Sequence, residues 1–357
     1  MERRGFIKGI GAGGLSASGL WSATARAAEP QAALGAWTLA RRGALPKLGR
    51  TDALLVLQNG QPVFERYGRD HTPQTRHVSW SMAKSITHAL VGVAVGEGKV
   101  DIDRPTMTLA DTHPKLTLRH LLTMTDGLDW VDTRPDPVRS DNARMLYGPG
   151  RMDTAAYTAA RRALHPPGTH WNYSSGAYQM VARELASRLF PQAHTPQAKR
   201  DALAGWIRTA LFGPLGMTSA VAEFDPAGTF YGGSLVWASA RDFARFGELY
   251  RRDGVWSGRR ILPQGWVAFA RTPTVANIYG AGFWLEAAHG HPEASLMNGA
   301  GPLDAFSCEG YDGQVILIVP SKALTVVRLG LTTGAWDELG QWLAGIVNSF
   351  PQVSGAS

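Results

Sequence analysis

Ser81 and Lys84 stand three residues apart in His77-Val78-Ser79-Trp80-Ser81-Met82-Ala83-Lys84-Ser85, at the mouth of a long apolar run. If that run is helical, hydroxyl and amine lie one turn apart on a single face, within mutual reach. A serine hydroxyl is a poor nucleophile at neutral pH and needs a base beside it. A lysine serves as that base only where desolvation or a neighbouring cation holds it deprotonated. Ser followed three residues later by Lys is also an ordinary helix start, with a capping serine and a solvated lysine. Against that, the chain has seven lysines and 29 arginines, and no other lysine has a serine three places before it.

A serine–lysine pair also needs a proton path to the leaving group and donors for the developing oxyanion. Trp171-Asn172-Tyr173-Ser174-Ser175-Gly176 follows a Pro166-Pro167-Gly168 turn and precedes a predicted helix. A tyrosine there can carry its phenol into a cleft, as a phenolate between two cations or as a proton relay. The same residues read equally well as a plain helix start capped by Ser175. Glu309-Gly310-Tyr311-Asp312-Gly313-Gln314 leads into an apolar strand, with glycines that allow close backbone approach. A strand-edge amide there, with the amide of Ser81 at its helix N-terminus, would make an oxyanion pair.

The elements that must position these residues follow from pattern. Asp52 to Gln58, Asn59-Gly60, then Pro62 to Tyr67 reads as a β-hairpin. Gln314 to Val319 and Ala323 to Leu329 form a second hairpin across Pro320-Ser321-Lys322, and their near-continuous apolar runs predict burial on both faces. Helical spacing marks Trp336 to Phe350, Leu118 to Met124, Tyr178 to Leu189, Trp206 to Leu211 and Ala240 to Tyr250. The fold class is therefore α+β: an antiparallel sheet drawn from both chain ends, flanked by helices, with an inserted helical subdomain. The sheet part is expected over about 28–100 and 230–357, and the helical part over about 101–229.

The first residues carry a different message. Arg3-Arg4-Gly5-Phe6-Ile7-Lys8, a Gly/Ala/Ser-rich apolar stretch and Ala25-Arg26-Ala27-Ala28 have the layout of a twin-arginine export signal over residues 1–27. That route carries folded proteins, so a transient encounter with the twin-arginine translocase and a periplasmic location are expected. Removing residues 1–27 lowers the formal net charge from +7 to +4. With no basic run interleaved with aromatics, nucleic-acid binding has no support. Cys308 is the only cysteine, which excludes an internal disulfide, and no later segment is apolar enough to span a bilayer.

The order Ser81-x-x-Lys84, Tyr173-x-Ser175, then Gly310-x-x-Gly313 before an apolar strand resembles the serine β-lactamase and penicillin-binding protein superfamily. It is most similar to the class C-like branch holding family VIII esterases, D-aminopeptidases and 6-aminohexanoate-dimer hydrolases. Thr117 to Leu128, Gly232 to Leu235, Arg241 to Gly247 and Tyr279 to Trp284 also look familial, so the likeness runs along nearly the whole chain after the leader.

The resemblance implies a β-lactamase/transpeptidase-like fold. It implies Ser81 as acylated nucleophile, Lys84 as its base, Tyr173 as proton relay, and the amides of Ser81 and Gln314 as oxyanion donors. Ser175, Tyr311, Asp312 and Gly313 would contact a small ester or amide substrate. Ser175 stands where β-lactamases carry an asparagine, and Tyr311 where they carry a lysine that holds a substrate carboxylate. A neutral phenol lacks that charge-assisted contact, commonly worth about 1.5–3 kcal/mol. Ester or linear-amide hydrolysis is thus favoured over D-alanyl-D-alanine carboxypeptidase or class C β-lactamase activity. A scaffold that binds ligand without turning it over is the remaining alternative.

Other motifs point elsewhere only weakly. No Gly-x-Ser-x-Gly elbow occurs, and Gly92 to Lys99 has the wrong spacing for a phosphate loop. His289-Gly290-His291 lacks an evident third ligand, so no metal or cofactor is expected. Asp126, Asp129 and Asp141 fit capping or solvated roles better than substrate contacts, and Trp130, Trp171, Trp237 and Trp284 could line an apolar cleft.

Overall fold

In a computed structural model, which describes residues 33, 35–37, 46–109, 111–132, 137–286 and 295–353, the two apolar hairpins become the middle of one sheet. β1 (Arg50–Gln58) and β2 (Gln61–Tyr67) meet at Asn59 and Gly60, whose φ angles of 53° and 76° give the turn that matches strand twist. Next come β3 (Arg76–Val78), α1 (Met82–Gly96), α2 (Leu118–Leu122), α3 (Asp141–Tyr147), α4 (Thr154–Ala159), α5 (Ser175–Leu189) and α6 (Pro196–Ile207). They are followed by β4 (Val221–Ala222), β5 (Val236–Ser239), α7 (Ala240–Arg251), the β6 (Val255–Trp256) and β7 (Arg259–Arg260) ribbon, and α8 (Trp266–Arg271). The chain closes with β8 (Trp284–Leu285), β9 (Phe306–Gly310), β10 (Gln314–Val319), β11 (Leu324–Leu331) and α9 (Trp336–Asn348).

The main sheet has the order β2-β1-β11-β10-β9-β8, antiparallel throughout, so strands from both ends of the chain lie side by side. Leu54, Val56, Val315 and Leu317 pack against Leu339 and Leu343 of α9. Their neighbours Leu55, Leu57, Ile316 and Ile318 share the other core with α1 and α7. Each strand thus buries both faces, which is why its sequence does not alternate, and each buried aliphatic side chain contributes about 1.5–3 kcal/mol. Between residues 101 and 229, β4 is the single named strand among the described residues. A small sheet, β3-β5-β4, joins that helical region to the start of α1.

Two details depart from pattern. The helix expected over Trp206 to Leu211 is the end of α6, followed by a wide turn at Arg208–Phe212 in which the Gly213 amide bonds the Arg208 carbonyl. Pro214, having no N–H, cannot continue the regular ladder. Within the apolar run of β11, Arg328 is fully buried, donating to the carbonyls of Gly313 (2.8 Å) and Arg50 (3.0 Å) and to Thr332 Oγ1 (2.7 Å). It ties the turn after β9 to the start of β1.

Candidate active site

The backbone ahead of α1 is an unusual turn. Trp80 has φ +44°, a conformation that costs a bulky residue of the order of 1–3 kcal/mol. The turn is held from β5: the Ser79 amide donates to the Val236 carbonyl at 2.8 Å, and Ser79 Oγ accepts the Val236 amide at 3.0 Å. Ser81 follows in helical conformation without capping the helix, so its hydroxyl is free for the cleft.

Lys84 is buried at the first turn of α1. Its Nζ reaches Ser81 Oγ at 2.8 Å, Ser175 Oγ at 2.9 Å and the Gly233 carbonyl at 2.7 Å. Burial lowers its pKa to about 8, although the charge of Asp132 pulls the other way. In the neutral amine two N–H groups remain for Ser175 and Gly233, which aims the lone pair at Ser81.

Tyr173 lies two residues before α5. Its hydroxyl is hydrogen-bonded with Ser81, its ring stacks on Trp284 with centroids 5.3 Å apart, and Lys84 Nζ sits 4.8 Å from the ring centre. Burial, reinforced by Asp132, pushes the phenol well above its ordinary value. That direction favours the proton-relay reading of Tyr173 over the phenolate. Lys84 is the cation at the ring, and Asp132 opposes a second negative charge.

Ser174, rather than Ser175, caps α5, accepting the Ala177 amide at 3.0 Å. Ser175 is fully buried behind the lysine and is a Lys84 partner rather than the substrate contact expected. Asp132, which sequence reading passed over, accepts from Trp130 Nε1 (2.9 Å) and the Ser175 amide (2.7 Å). No motif marks it, because its role depends on the fold bringing 132 beside 175.

The far wall corrects the reading of the glycine-rich stretch. The strand bordering the cleft is β9, and Gln314 lies one strand behind, paired with Gly310. The Gln314 carboxamide clasps β11, donating to the Gly330 carbonyl and accepting the Gly330 amide at 3.1 Å. Asp312 and Gly313 form the turn held by Arg328 and Thr332, away from the cleft. Tyr311 alone of that trio lines it, edge-on to Trp80 with centroids 5.8 Å apart.

Immediately before β9, Ala305 turns its carbonyl outward and accepts the Glu286 amide at 3.1 Å. Peptide groups alternate along a strand, so Glu309 also turns its amide outward, past the end of β8. Gly310 lets β9 come this close, since a Cβ there would lie 2.2 Å from the Ser79 carbonyl oxygen. Gly310→Ala is expected to push β9 off the Ser79–Ser81 turn and lower kcat/KM roughly 10²-fold. Steady-state kinetics beside a thermal melt checks this.

The cleft holds about 860 Å³ and is walled by Trp80, Trp130, Trp171, Trp284 and Trp336. Trp237 is elsewhere, on β5, bonded to Glu223. Among the described residues its charged lining is acidic, Asp132, Glu309 and Asp337, with no lysine or arginine. The Glu309 carboxyl accepts from Ser307 Oγ at 2.7 Å, and burial raises it to about 7. The three aspartates set aside earlier have structural partners: Asp126 the Leu128 amide, Asp129 Arg162, and Asp141 the Val131 amide with Tyr157 and Arg161. His289-Gly290-His291 and residues 1–32 lie outside the described residues.

An antiparallel sheet with helices on both faces, and a buried lysine joining Ser81 at the foot of a cleft beside a tyrosine, defines the serine β-lactamase and penicillin-binding protein class. The chain belongs to the Beta-lactamase family, whose sequence profile matches residues 45–339. A 6-aminohexanoate-dimer hydrolase of Paenarthrobacter ureafaciens is 27% identical over 232 residues, 61% of this chain and 56% of the relative. The match thus spans little more than half the relative's length. Among solved structures, a protein assigned as a 6-aminohexanoate-dimer hydrolase from Bacillus anthracis superposes with a TM-score of 0.69 at 20% identity, covering 86% of this chain and 83% of the other. A penicillin-binding protein homologue from Caulobacter crescentus gives 0.64 at 15% identity, covering 91% and 99%.

Proposed function

We propose that this protein is a serine hydrolase that forms an acyl-enzyme on Ser81 and cleaves small esters or linear amides. The observation that carries the reading is the 2.8 Å contact between Lys84 Nζ and Ser81 Oγ, with the amine's remaining protons engaged by Ser175 and Gly233. Lys84 takes the Ser81 proton as Oγ bonds to the substrate carbonyl carbon. The oxyanion forms against the amides of Ser81 and Glu309. The proton passes by way of Tyr173 to the departing oxygen or nitrogen, and the carbonyl–leaving-group bond breaks. Water then attacks the acyl group, its proton returns along the same path, and Ser81 leaves protonated.

The acidic, aromatic cleft supports an ester or linear amide over a β-lactam, whose carboxylate is fixed beside the reacting ring and would find no cation on the described lining. The carboxylate of 6-aminohexanoate dimer instead stands at the end of a flexible chain that can reach solvent. Turnover of p-nitrophenyl butyrate and of 6-aminohexanoate dimer, compared with nitrocefin, tests this. Preference for the first two is expected, and fast nitrocefin hydrolysis would reverse the substrate assignment. Tyr173→Phe is expected to lower kcat on the amide by about 10²–10⁴-fold, the usual range for a lost general acid. On p-nitrophenyl butyrate the loss should be far smaller, because p-nitrophenolate departs without a proton.

Export by the twin-arginine route to the periplasm belongs to the same proposal, supported by Arg3-Arg4 and the apolar stretch ending at Ala27. Cell fractionation of an Arg3→Lys/Arg4→Lys variant should find the protein retained in the cytoplasm. Among the described residues no helix is long and apolar enough to cross a membrane.

A further inference from the structure

A second cluster of chemistry-bearing side chains lies behind the nucleophile's turn, outside the cleft. Asp52 sits at a β-bulge, where the register of β1 against β11 shifts between Thr51 and Ala53. Bulges re-aim side chains, and the buried Asp52 carboxylate is directed at the segment between β2 and β3. There His71 Nε2 stands 3.7 Å from Asp52 Oδ2, and the His71 ring stacks on His77 of β3. His77 is 8% exposed, yet its Nε2 is buried without a hydrogen-bond partner. One ligand atom from each of Asp52, His71 and His77 lies within 4.8 Å of the others.

We propose that Asp52, His71 and His77 form a zinc-class divalent metal site that clasps β3 onto β1. Two imidazoles and one carboxylate are a known three-residue zinc set, with the fourth position left to water. The two rings lie 5.2 Å apart and 18° from parallel. An imidazole binds a metal through the in-plane lone pair of its nitrogen, so ligation asks the His71 ring to turn until both nitrogens point at one ion. The surrounding bonds suit ligation. His71 Nδ1 lies 2.8 Å from the Arg69 carbonyl, which leaves Nε2 as the lone-pair nitrogen, the common outer arrangement of a metal-bound histidine. Arg50 holds Asp52 chiefly through Oδ1, at 2.6 Å against 3.2 Å for Oδ2, so Oδ2 is the oxygen turned to His71. Ligands on a tetrahedral ion lie about 3.4 Å apart, so closure from separations of up to 4.8 Å asks for a shift of up to about 1.4 Å, which the partly exposed His71 side chain can supply.

β3 ends at Val78, three residues before Ser81, and pairs with β5 rather than with the main sheet. A metal bridge from Asp52 would tie the strand feeding the nucleophile directly to β1.

Isothermal titration of the chelator-treated full chain with zinc chloride tests the site. One zinc per chain, bound at micromolar concentration or tighter, is expected, with at least tenfold weaker binding in His71→Ala. Zinc should raise the thermal midpoint of the wild type by several degrees and leave that of His71→Ala unmoved. Substituted cobalt should give the intense visible bands of a four-coordinate site. His71 lies in the loop between β2 and β3 and is less buried than His77, so its alanine variant is expected to keep the near-ultraviolet circular dichroism of the fold even if His77→Ala does not. Absence of stoichiometric zinc binding overturns the proposal, as does His71→Ala binding like wild type. Loss of binding in His289→Ala/His291→Ala alone would equally overturn it.

Discussion

Ser81→Ala is expected to lower kcat/KM on p-nitrophenyl butyrate by roughly 10⁴-fold or more while the protein stays folded. Removing one oxygen deletes the group that bonds to the substrate carbon. Ser175 Oγ also touches Lys84, at 2.9 Å, but is fully buried and cannot meet a carbonyl. Lys84 keeps its bonds to Ser175 and Gly233, and Ser81 caps nothing, so the melting temperature should move little. Intact mass spectrometry after a fluorophosphonate probe checks the chemistry directly. The wild type should gain one adduct and Ser81→Ala none. Labelling that survives the substitution would place the nucleophile elsewhere, and a wild type that never labels would favour a ligand-binding scaffold.

Lys84→Met separates activity from stability. A fall in kcat/KM of about 10³-fold or more is expected, since a neutral methionine leaves Ser81 without a base. The wild-type kcat/KM should climb about tenfold per pH unit below pH 8 and level above it, because only the deprotonated amine is competent. Glu309, raised to about 7, titrates nearby. Glu309→Gln should leave the limb near 8 in place if Lys84 is its source.

Stability follows the same proton. The unfolded chain keeps the Lys84 proton up to about pH 10.5, whereas the folded chain releases it near 8. Between those values the unfolded state binds more protons, so wild-type stability rises with pH relative to Lys84→Met, by roughly 3 kcal/mol across the window. Below pH 8 the wild type carries the whole cost of a buried ammonium. Methionine relieves it but strips the donor from Ser175 and Gly233, at about 1–3 kcal/mol for each acceptor left bare. Urea unfolding of both proteins at pH 7 and pH 10.5 reads the difference, and parallel curves would mean that Lys84 is not held near 8.

Much of the architecture was legible because local rules and burial agree. Asn59-Gly60 admits the positive φ a tight hairpin needs, and the Gln314 to Leu331 runs have no polar face to expose. Periodicity likewise located α2, α5, α7 and α9. The wide turn after α6 escaped, since its cause is a proline three residues beyond the helical pattern.

At the site, spacing along one helix was enough to join Ser81 to Lys84, because three residues of α-helix set their separation. Tyr173 was legible as a candidate, but its protonation was not, for that depends on Asp132 and on aromatic walls gathered from distant segments. The same holds for Ser175. As a sequence position it looked like a cap or a substrate contact, and only the approach of α5 to α1 turns it into a lysine partner. The misplacement of the oxyanion strand has a related origin. The glycines of Gly310 to Gly313 signal close backbone approach, but not which neighbour approaches. In the fold Gly310 faces the Ser79 carbonyl, while Gly313 accommodates Arg328.

By itself, then, the order of residues determined the two apolar hairpins, the main helices and the nucleophile–base pair, all of which rest on contacts within a few residues. The tertiary structure alone decided that Lys84 is desolvated, that β9 rather than β10 borders the cleft, and that Asp52, His71 and His77 converge. Burial and convergence depend on segments far apart in sequence, and no local pattern encodes the distance between them.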